Sequence, residues 1–160
     1  HLFDNPYTQM LESTYTVSGD KDQAVVVAVS PQNTAATFNV GLTICYDVRF
    51  PALYDKLRRE KACDVVCVPS AFMRKTGMAH WEVLLRARAI ETQMYVVAAA
   101  QCGVHSEKRS SYGHSMIIDP WGEVVAALDG DEEGFCMAPL DLQRLQQVRR
   151  DLPVEQHHRL

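Results

Sequence analysis

One cysteine stands where a chain can present a nucleophile. Cys45 ends the apolar run Gly41-Leu-Thr-Ile-Cys45, and Pro51 opens a helix six residues later. A strand–turn–helix junction of this kind exposes a side chain above a sheet, where it can attack an acyl carbon. The backbone N–H of Tyr46 follows directly and can donate to the oxyanion that such an attack creates. The spacing therefore makes Cys45 a candidate nucleophile and Tyr46 a candidate oxyanion donor.

The same cysteine has two other interpretations. A thiol attacks efficiently when a neighbouring base or cation favours its thiolate, and no Lys or His lies within five residues of Cys45. Pro51 is also too distant for the helix dipole to help the thiolate much. A structural cysteine that closes a buried strand therefore stays open. So does a hydrolase whose base is His80 or His114, brought close by the fold.

A predicted helix carries a second polar group. Leu84, Arg88 and Glu91 share one face by their i, i+4 and i+3 spacing, and this face also carries apolar residues. Arg88 and Glu91 are therefore predicted to form a partly buried ion pair. We interpret the pair as part of the scaffold or of an interface, with substrate contact as the alternative.

The remaining cysteines indicate structure and compartment. Five cysteines without a visible signal peptide argue against a disulfide framework and favour a reducing compartment such as the cytoplasm. Cys63 and Cys67 are four residues apart in a predicted buried strand, and no second Cys or His pair with zinc-site spacing accompanies them. We expect structural cysteines, no metal and no organic cofactor.

The elements that position these residues follow from the hydrophobic pattern. Alternating strands and helices followed by a meander indicate an α/β layered sheet. In such a sheet, strands ending at Cys45, Pro69 and Gln101 bring their carboxyl ends together, where sites form. Residues 1–23 and 103–111 are predicted to be irregular. The sequence predicts strands over 24–29, 38–45, 64–68, 95–101, 114–119, 123–127 and 134–139, and helices over 51–61, 79–93 and 142–150, the last capped by Asp141.

Composition excludes several classes of protein. The chain has 160 residues, of which 47% are hydrophobic and 22% are charged, as in an ordinary globular domain. Its net charge of −4, with scattered basic residues, lacks the basic stripe of a nucleic-acid-binding surface. No apolar run approaches the ~18 residues that a membrane helix needs. We therefore expect neither a nucleic-acid partner nor a membrane partner.

Several segments together resemble the nitrilase superfamily of carbon–nitrogen hydrolases. The resemblance covers nearly the whole chain in the right order, and it is closest to the Nit branch, which includes the Nit part of Nit–Fhit fusions. The matching segments are His1-Leu-Phe-Asp4, Gly41-Leu-Thr-Ile-Cys-Tyr-Asp-Val-Arg-Phe-Pro51, Pro69-Ser-Ala-Phe72, His80-Trp-Glu-Val-Leu-Leu-Arg-Ala-Arg-Ala-Ile-Glu91, Tyr95-Val-Val-Ala-Ala-Ala-Gln101, Tyr112-Gly-His-Ser and Asp119-Pro-Trp-Gly122.

The resemblance implies an α-β-β-α sandwich and a Glu–Lys–Cys triad with Cys45 as the nucleophile. In the family, the Lys directly precedes the His-Leu-Phe-Asp segment and the base Glu lies further upstream. We therefore expect both residues outside this sequence, which would form the C-terminal part of a single domain. Glu12 matches a further family glutamate that positions the substrate or the lysine, and an exposed loop carboxylate is its alternative. Residues 14–36 depart from the branch and are interpreted as an insertion.

The resemblance also implies a pocket and an activity. Tyr46, Ala71 and Phe72 are expected to surround the oxyanion or the substrate, although Phe72 can equally be a core ring. The implied activity is hydrolysis of a small-molecule amide, either deaminated glutathione or the ω-amide of a keto acid, with ammonia release and a thioester acyl-enzyme. The family suggests a homodimer. The alternative is a catalytically incomplete fragment that acts by association, since half a sandwich exposes apolar strand edges and faces.

Overall fold

The computed structural model describes residues 1–7, 9–20, 24–32, 36–130 and 132–159. The helices are α1 (Pro51–Arg59), α2 (Arg74–Thr92), α3 (Leu142–Asp151) and α4 (Val154–His157), with 3₁₀ helices at Glu12–Thr14 and Cys45–Arg49. The strands are β1 (Asp4–Asn5), β2 (Met10–Leu11), β3 (Val25–Val29), β4 (Phe38–Leu42), β5 (Val65–Cys67), β6 (Tyr95–Ala98), β7 (Cys102–Ser106), β8 (Arg109–Tyr112), β9 (Met116–Ile118) and β10 (Val124–Ala127).

The central element is a six-stranded mixed sheet in the order β10-β9-β6-β5-β4-β3. Strands β4, β5 and β6 run parallel, because α1 and α2 carry the chain back between them. Strands β3, β9 and β10 pair antiparallel with their neighbours. The α/β class predicted from the sequence is confirmed.

The two faces of the sheet are covered differently. Leu57 of α1 and Trp81 and Leu85 of α2 pack on the face that carries Val66 and Val96, where most of the core lies. The opposite face is covered at its centre by Leu145 of α3, which packs with Phe38, Val65 and Tyr95. Towards β3 this second face is bare, and its apolar side chains are 46–52% exposed: Val25, Val27, Val29 and Leu42.

Several predicted elements differ from the structure. Residues 103–111 are not an irregular loop, because β7 and β8 form a hairpin there. Residues 134–139 form no strand, since nothing pairs with them in the described part of the chain. Helix α2 begins five residues before the predicted start, at Arg74. His114, predicted to lie in a strand, precedes β9 with a left-handed φ of 61°.

The N-terminal segment is more ordered than predicted. Strands β1 and β2 form a small antiparallel ladder within the predicted irregular region. The predicted insertion, 14–36, contains β3, but its residues 21–23 and 33–35 lie outside the described residues. No helix in the described ranges combines the length and apolar character needed to cross a membrane.

Candidate active site

Cys45 lies at the junction predicted from the sequence. Strand β4 ends at Leu42, and Cys45 begins the 3₁₀ helix Cys45–Arg49, which leads into α1. Helical structure therefore starts at the cysteine itself and not, as predicted, six residues later. The φ of Cys45 is 41°, in the left-handed region that residues with a Cβ rarely adopt. Strain of this kind is often found where a side chain is held for function.

The carboxyl ends of the parallel strands meet beside Cys45, as predicted. The Cys45 N–H donates to the carbonyl of Pro69 at 2.8 Å, just after β5. The next connection runs from the Gln101 N–H to the carbonyl of Ser70 at 2.9 Å, just after β6. The three strand ends thus form one continuous edge, with Cys45 at one side of it.

Two groups at this edge are available to react with a substrate, the thiol of Cys45 and the backbone N–H of Tyr46. Cys45 is half-buried, and its thiol has no hydrogen-bond partner among the residues that the structure describes. The N–H of Tyr46 is also without a partner in those ranges, as an oxyanion donor requires. The arrangement can therefore offer both a nucleophile and a donor to the same substrate carbonyl.

Neither candidate histidine bonds to Cys45. The Nδ1 atom of His80 lies 3.3 and 3.4 Å from the guanidinium nitrogens of Arg49. The Nδ1 atom of His114 lies 2.8 Å from the carbonyl of Tyr112, and the His114 ring stacks on that tyrosine at 3.9 Å. The structure gives no support to a Cys–His pair.

Aromatic rings join the N-terminal segment to the cysteine turn. The ring of Tyr46 lies edge-on to Phe3 at 5.2 Å and to Phe50 at 5.3 Å, and His1 stacks on Phe50 at 3.6 Å. The buried carboxylate of Asp47 accepts from the Ile44 N–H at 3.0 Å and from the His1 amino group at 2.7 Å. His1 is therefore held two residues from Cys45.

Glu12 contacts this region only indirectly. It is exposed at the start of its 3₁₀ helix, and its Oε2 accepts from the Phe3 N–H at 2.8 Å. Within the described residues it makes no hydrogen bond to Cys45 or Tyr46. Glu12 thus holds the segment whose Phe3 ring contacts Tyr46.

Ala71 and Phe72 lie between β5 and α2. Ala71 is half-buried, whereas Phe72 is 7% exposed and packs against Trp81 with ring centroids 4.9 Å apart. The Phe72 carbonyl accepts from the Tyr112 N–H, which ties this segment to the β7–β8 hairpin. Phe72 is a core ring on one side, and its other contact is with Arg49.

Arg49 is the site residue that the sequence analysis missed. Its guanidinium carbon lies 5.2 Å from the centre of the Phe72 ring and 6.0 Å from that of Tyr46. No carboxylate pairs with it among the described residues, although Asp47 is close in sequence and bonds His1 instead. The sequence places an arginine four residues after Cys45, but it cannot show that the charge is unpaired.

Arg88 supports the turn from the core side. The predicted ion pair is confirmed, because Arg88 Nη1 lies 2.6 Å from Glu91 Oε2. Its Nε donates to the carbonyl of Val48 at 2.9 Å, and its guanidinium lies 5.5 Å from the Tyr54 ring. This geometry matches the predicted scaffold role.

Cys63 is buried and Cys67 is half-buried. Burial, aided by the charge of Asp64, raises the pKa of Cys63 to about 11. Burial also raises the pKa of Cys67. Both thiols are thus kept protonated, as suits structural cysteines. No three His, Cys, Asp or Glu side chains cluster for a metal in the described ranges.

An open cleft of about 380 Å³ lies further along the edge of the sheet. Gln101 and Ser115 line it on one side, and Asp129 and Glu133 line it on the other. Cys45 is not among its lining residues. The cleft therefore adjoins the carboxyl end of β6 rather than the candidate nucleophile.

Comparison with known sequences gives a consistent result. The family described as carbon–nitrogen hydrolase matches residues 1–150. Deaminated glutathione amidase of Rattus norvegicus is 54% identical over 150 residues, which cover 94% of this chain and 43% of that protein. The nitrilase and fragile histidine triad fusion protein NitFhit of Caenorhabditis elegans is 45% identical over 162 residues, covering 99% and 35% of the two chains.

Solved structures agree with the sequence comparison. The crystal structure of the C. elegans NitFhit protein matches with a TM-score of 0.82 over 99% of this chain and 37% of that one, at 45% identity. Nit3 of Saccharomyces cerevisiae, a member of branch 10 of the nitrilase superfamily, matches with a TM-score of 0.75 at 31% identity, covering 93% and 51%. The chain thus spans about half of these relatives or less.

Proposed function

The chain belongs to the carbon–nitrogen hydrolase family, and from this premise we propose that it carries the nucleophile of a cysteine-dependent amidase. The Cys45 thiolate attacks the amide carbonyl carbon, and the Tyr46 N–H donates to the oxyanion. The C–N bond then breaks, the nitrogen leaves as ammonia or as an amine after taking up a proton, and a thioester remains. Water hydrolyses the thioester to the acid and regenerates the thiol.

The position of Cys45 is the observation that carries the proposal. Cys45 is strained, half-exposed at the carboxyl edge of a parallel sheet, and next to an N–H with no partner in the described ranges. Packing alone gives little reason for such a position. Cys63 differs from it, because its side chain is completely buried and burial raises the pKa of its thiol to about 11. The contrast favours chemistry over packing for Cys45.

The complete site also needs a base and a cation, which the family supplies as Glu and Lys. We propose that both come from the part of the domain that precedes His1 in the family. The His1 amino nitrogen lies 2.7 Å from Asp47 Oδ1, two residues after Cys45. Since neighbouring Cα atoms are about 3.8 Å apart, a residue joined to His1 would reach the cysteine turn.

Arg49 suggests the class of substrate. Deaminated glutathione and the ω-amide of 2-oxoglutarate share an acyl group that ends in a carboxylate. Arg49 lies four residues from Cys45 and has no acidic partner in the part of the chain that the structure describes, so its charge matches that carboxylate. The proposed substrate is accordingly a small amide whose acyl part carries a carboxylate.

Substitution of the cysteine tests the proposal in the complete protein. Cys45→Ala is expected to abolish release of the amine or ammonia from deaminated glutathione or 2-oxoglutaramate. It should leave the circular dichroism spectrum unchanged. Cys136→Ala, which removes another half-buried thiol, serves as the matched control and should retain activity. Substantial turnover by Cys45→Ala would exclude the nucleophile assignment.

A second candidate function is association without catalysis. The bare apolar face formed by Val25, Val27, Val29 and Leu42 favours it, because such a patch normally contacts another surface. Its occupant would be a second copy of the chain or the N-terminal part of the same domain. Size-exclusion chromatography of the 160-residue chain tests this, and a clean 18.0-kDa monomer would count against it.

The proposal also places the protein as a homodimer in the cytoplasm. All five cysteines are free in the structure, which suits a reducing compartment.

The intact mass under denaturing conditions should be measured first, because a mass above 18.0 kDa, or a second co-purifying chain, indicates that the upstream Glu and Lys accompany Cys45.

A further inference from the structure

His80 accepts a hydrogen bond from Arg49, and this bond determines which ring nitrogen of His80 carries the proton. A guanidinium group carries donors only, so His80 Nδ1 must accept at 3.3 and 3.4 Å. The ring proton therefore lies on Nε2, and the imidazole is neutral in this arrangement. A protonated ring would direct an N–H at the guanidinium instead and lose the contact.

Helix α2 restrains Arg49 from a second direction. Trp81, the residue after His80, packs on Phe72, and the Phe72 ring lies beneath the guanidinium at 5.2 Å. The Trp81 indole N–H donates to the carbonyl of His114 at 2.8 Å, which fixes the indole in turn. Phe72 and His80 thus contact the same guanidinium group, one through its ring face and the other through Nδ1.

Such restraint matters for an arginine that binds an anion. A free arginine side chain loses about 2 kcal/mol of rotamer entropy when a ligand immobilises it, and an arginine already held in place avoids part of that loss. His80 is 31 residues away from Arg49 in sequence and makes no hydrogen bond to Cys45 within the described residues. Its effect on the site must therefore pass through Arg49.

We infer that His80 is a positioning residue, which orients Arg49 to bind the carboxylate of the amide substrate. The inference rests on the proposed function, since Arg49 is the proposed carboxylate anchor. It predicts that replacing His80 weakens the binding of charged substrates and leaves the binding of neutral substrates unchanged. If His80 had a merely structural role, its replacement would weaken the binding of both.

The test uses the complete protein and a matched pair of amides. Glutaramate carries a carboxylate, and glutaramide has an amide in its place. His80→Leu removes the acceptor, whereas His80→Asn retains an acceptor oxygen near the position of Nδ1. Arg49→Gln removes the anchor itself. Hydrolysis is followed by ammonia release, and calorimetry of glutarate binding provides a readout that does not need turnover.

The expected pattern is specific to positioning. His80→Leu should raise the KM for glutaramate and the Kd for glutarate about tenfold, the scale of one hydrogen bond to a charged group. Its kcat and its KM for glutaramide should stay within about twofold of wild type. His80→Asn should restore most of the glutarate affinity. In the Arg49→Gln background, His80→Leu should add no further loss, because both variants remove the same contact.

Four results from the His80 variants would overturn the inference. They are equal losses on glutaramate and glutaramide, a fall in kcat alone, failure of His80→Asn to recover binding, and additive losses in the double variant. Failure of the proposed function looks different, because the wild-type protein would then hydrolyse neither amide. The glutarate titrations of His80→Leu and His80→Asn would still decide the role of His80. Glutarate binding that is absent, or unaffected by Arg49→Gln, would overturn it as well.

Discussion

Arg88 Nε lies 2.9 Å from the carbonyl oxygen of Val48, so a buried arginine of α2 bonds the 3₁₀ helix that starts at Cys45. The contact joins the core layer of helices to the cysteine turn across 40 residues of sequence. It satisfies a carbonyl that would otherwise be buried without a donor. The stability of the turn therefore depends on a side chain that does not itself reach the edge of the sheet.

Replacing this arginine should destabilise the fold. Arg88→Ala is expected to lower the free energy of unfolding by about 3 kcal/mol, because it leaves the Val48 carbonyl unpaired and removes a buried side chain. Glu91→Gln is the matched control. Since the Glu91 side chain is 54% exposed, its loss should cost less than about 1 kcal/mol. Urea denaturation measures both, and equal losses would contradict the role of the Val48 contact.

The cysteines should differ in their reaction with iodoacetamide. Cys63 is completely buried and has its pKa raised to about 11, so only about one thiol in a thousand is ionised at pH 8. Cys45 is half-buried with a free thiol, and it should be alkylated at least about tenfold faster in the folded protein. Peptide mass spectrometry measures the two rates. In urea the difference should disappear, and its absence in the folded state would contradict the described environments.

Because of Tyr54, the free energy of unfolding should fall at alkaline pH. Burial raises its pKa to about 12 from an ordinary value of 10, while its hydroxyl bonds Thr43 Oγ1 at 3.1 Å. Because the unfolded chain ionises first, this stabilisation is complete below pH 10 and is lost as pH rises towards 12. The difference in pKa corresponds to about 2–3 kcal/mol.

The variant Tyr54→Phe isolates that contribution. It removes the ionisable group and should flatten the fall in unfolding free energy between pH 10 and 12. At pH 7 it should cost about 1 kcal/mol, since Thr43 keeps its bond to the Cys67 carbonyl. Identical pH profiles for Tyr54→Phe and wild type would show that Tyr54 does not titrate as expected.

Gly77 should resist a substitution that normally stabilises helices. In the middle of an exposed helix, Gly→Ala gains about 1 kcal/mol. At Gly77, however, a Cβ would meet the Tyr112 ring at 2.3–2.5 Å, so Gly77→Ala should instead cost about 2 kcal/mol of stability. Gly19→Ala, which has nothing within 4 Å, should be neutral. Thermal unfolding compares them, and a more stable Gly77→Ala would show that α2 and β8 are not in close contact.

Gly77 also explains one failure of sequence-based prediction. Because Gly77 and the polar residues before Met78 show no helical hydrophobic periodicity, the sequence does not indicate the first turn of α2. The β7–β8 hairpin is hidden for a related reason, because residues such as His105 and Ser110 show no apolar alternation. Contact with α2 and the Phe72 segment holds this hairpin in place. Tertiary packing, which no local pattern contains, decides both elements.

The cysteine turn was predictable because its signals are local. The apolar run to Cys45 and the proline at position 51 mark the end of a strand and the start of a helix, and the structure has both. The lack of a carboxylate partner for Arg49 among the described residues was not predictable, since Asp47 bonds His1 and the contact of Arg49 with His80 comes from α2. Residue types could therefore locate the candidate nucleophile, but only the fold could identify the candidate anchor.

At Cys45, the proposed chemistry requires a thiol, whereas the left-handed backbone would be more stable with glycine. This conformation destabilises a residue with a Cβ by roughly 1–2 kcal/mol, whereas it hardly destabilises glycine. A descendant that lost the proposed activity and exchanged Cys45 for glycine would relieve its backbone in the same step. Selection for stability alone would therefore erode this position, and only continued demand for the thiol would maintain it.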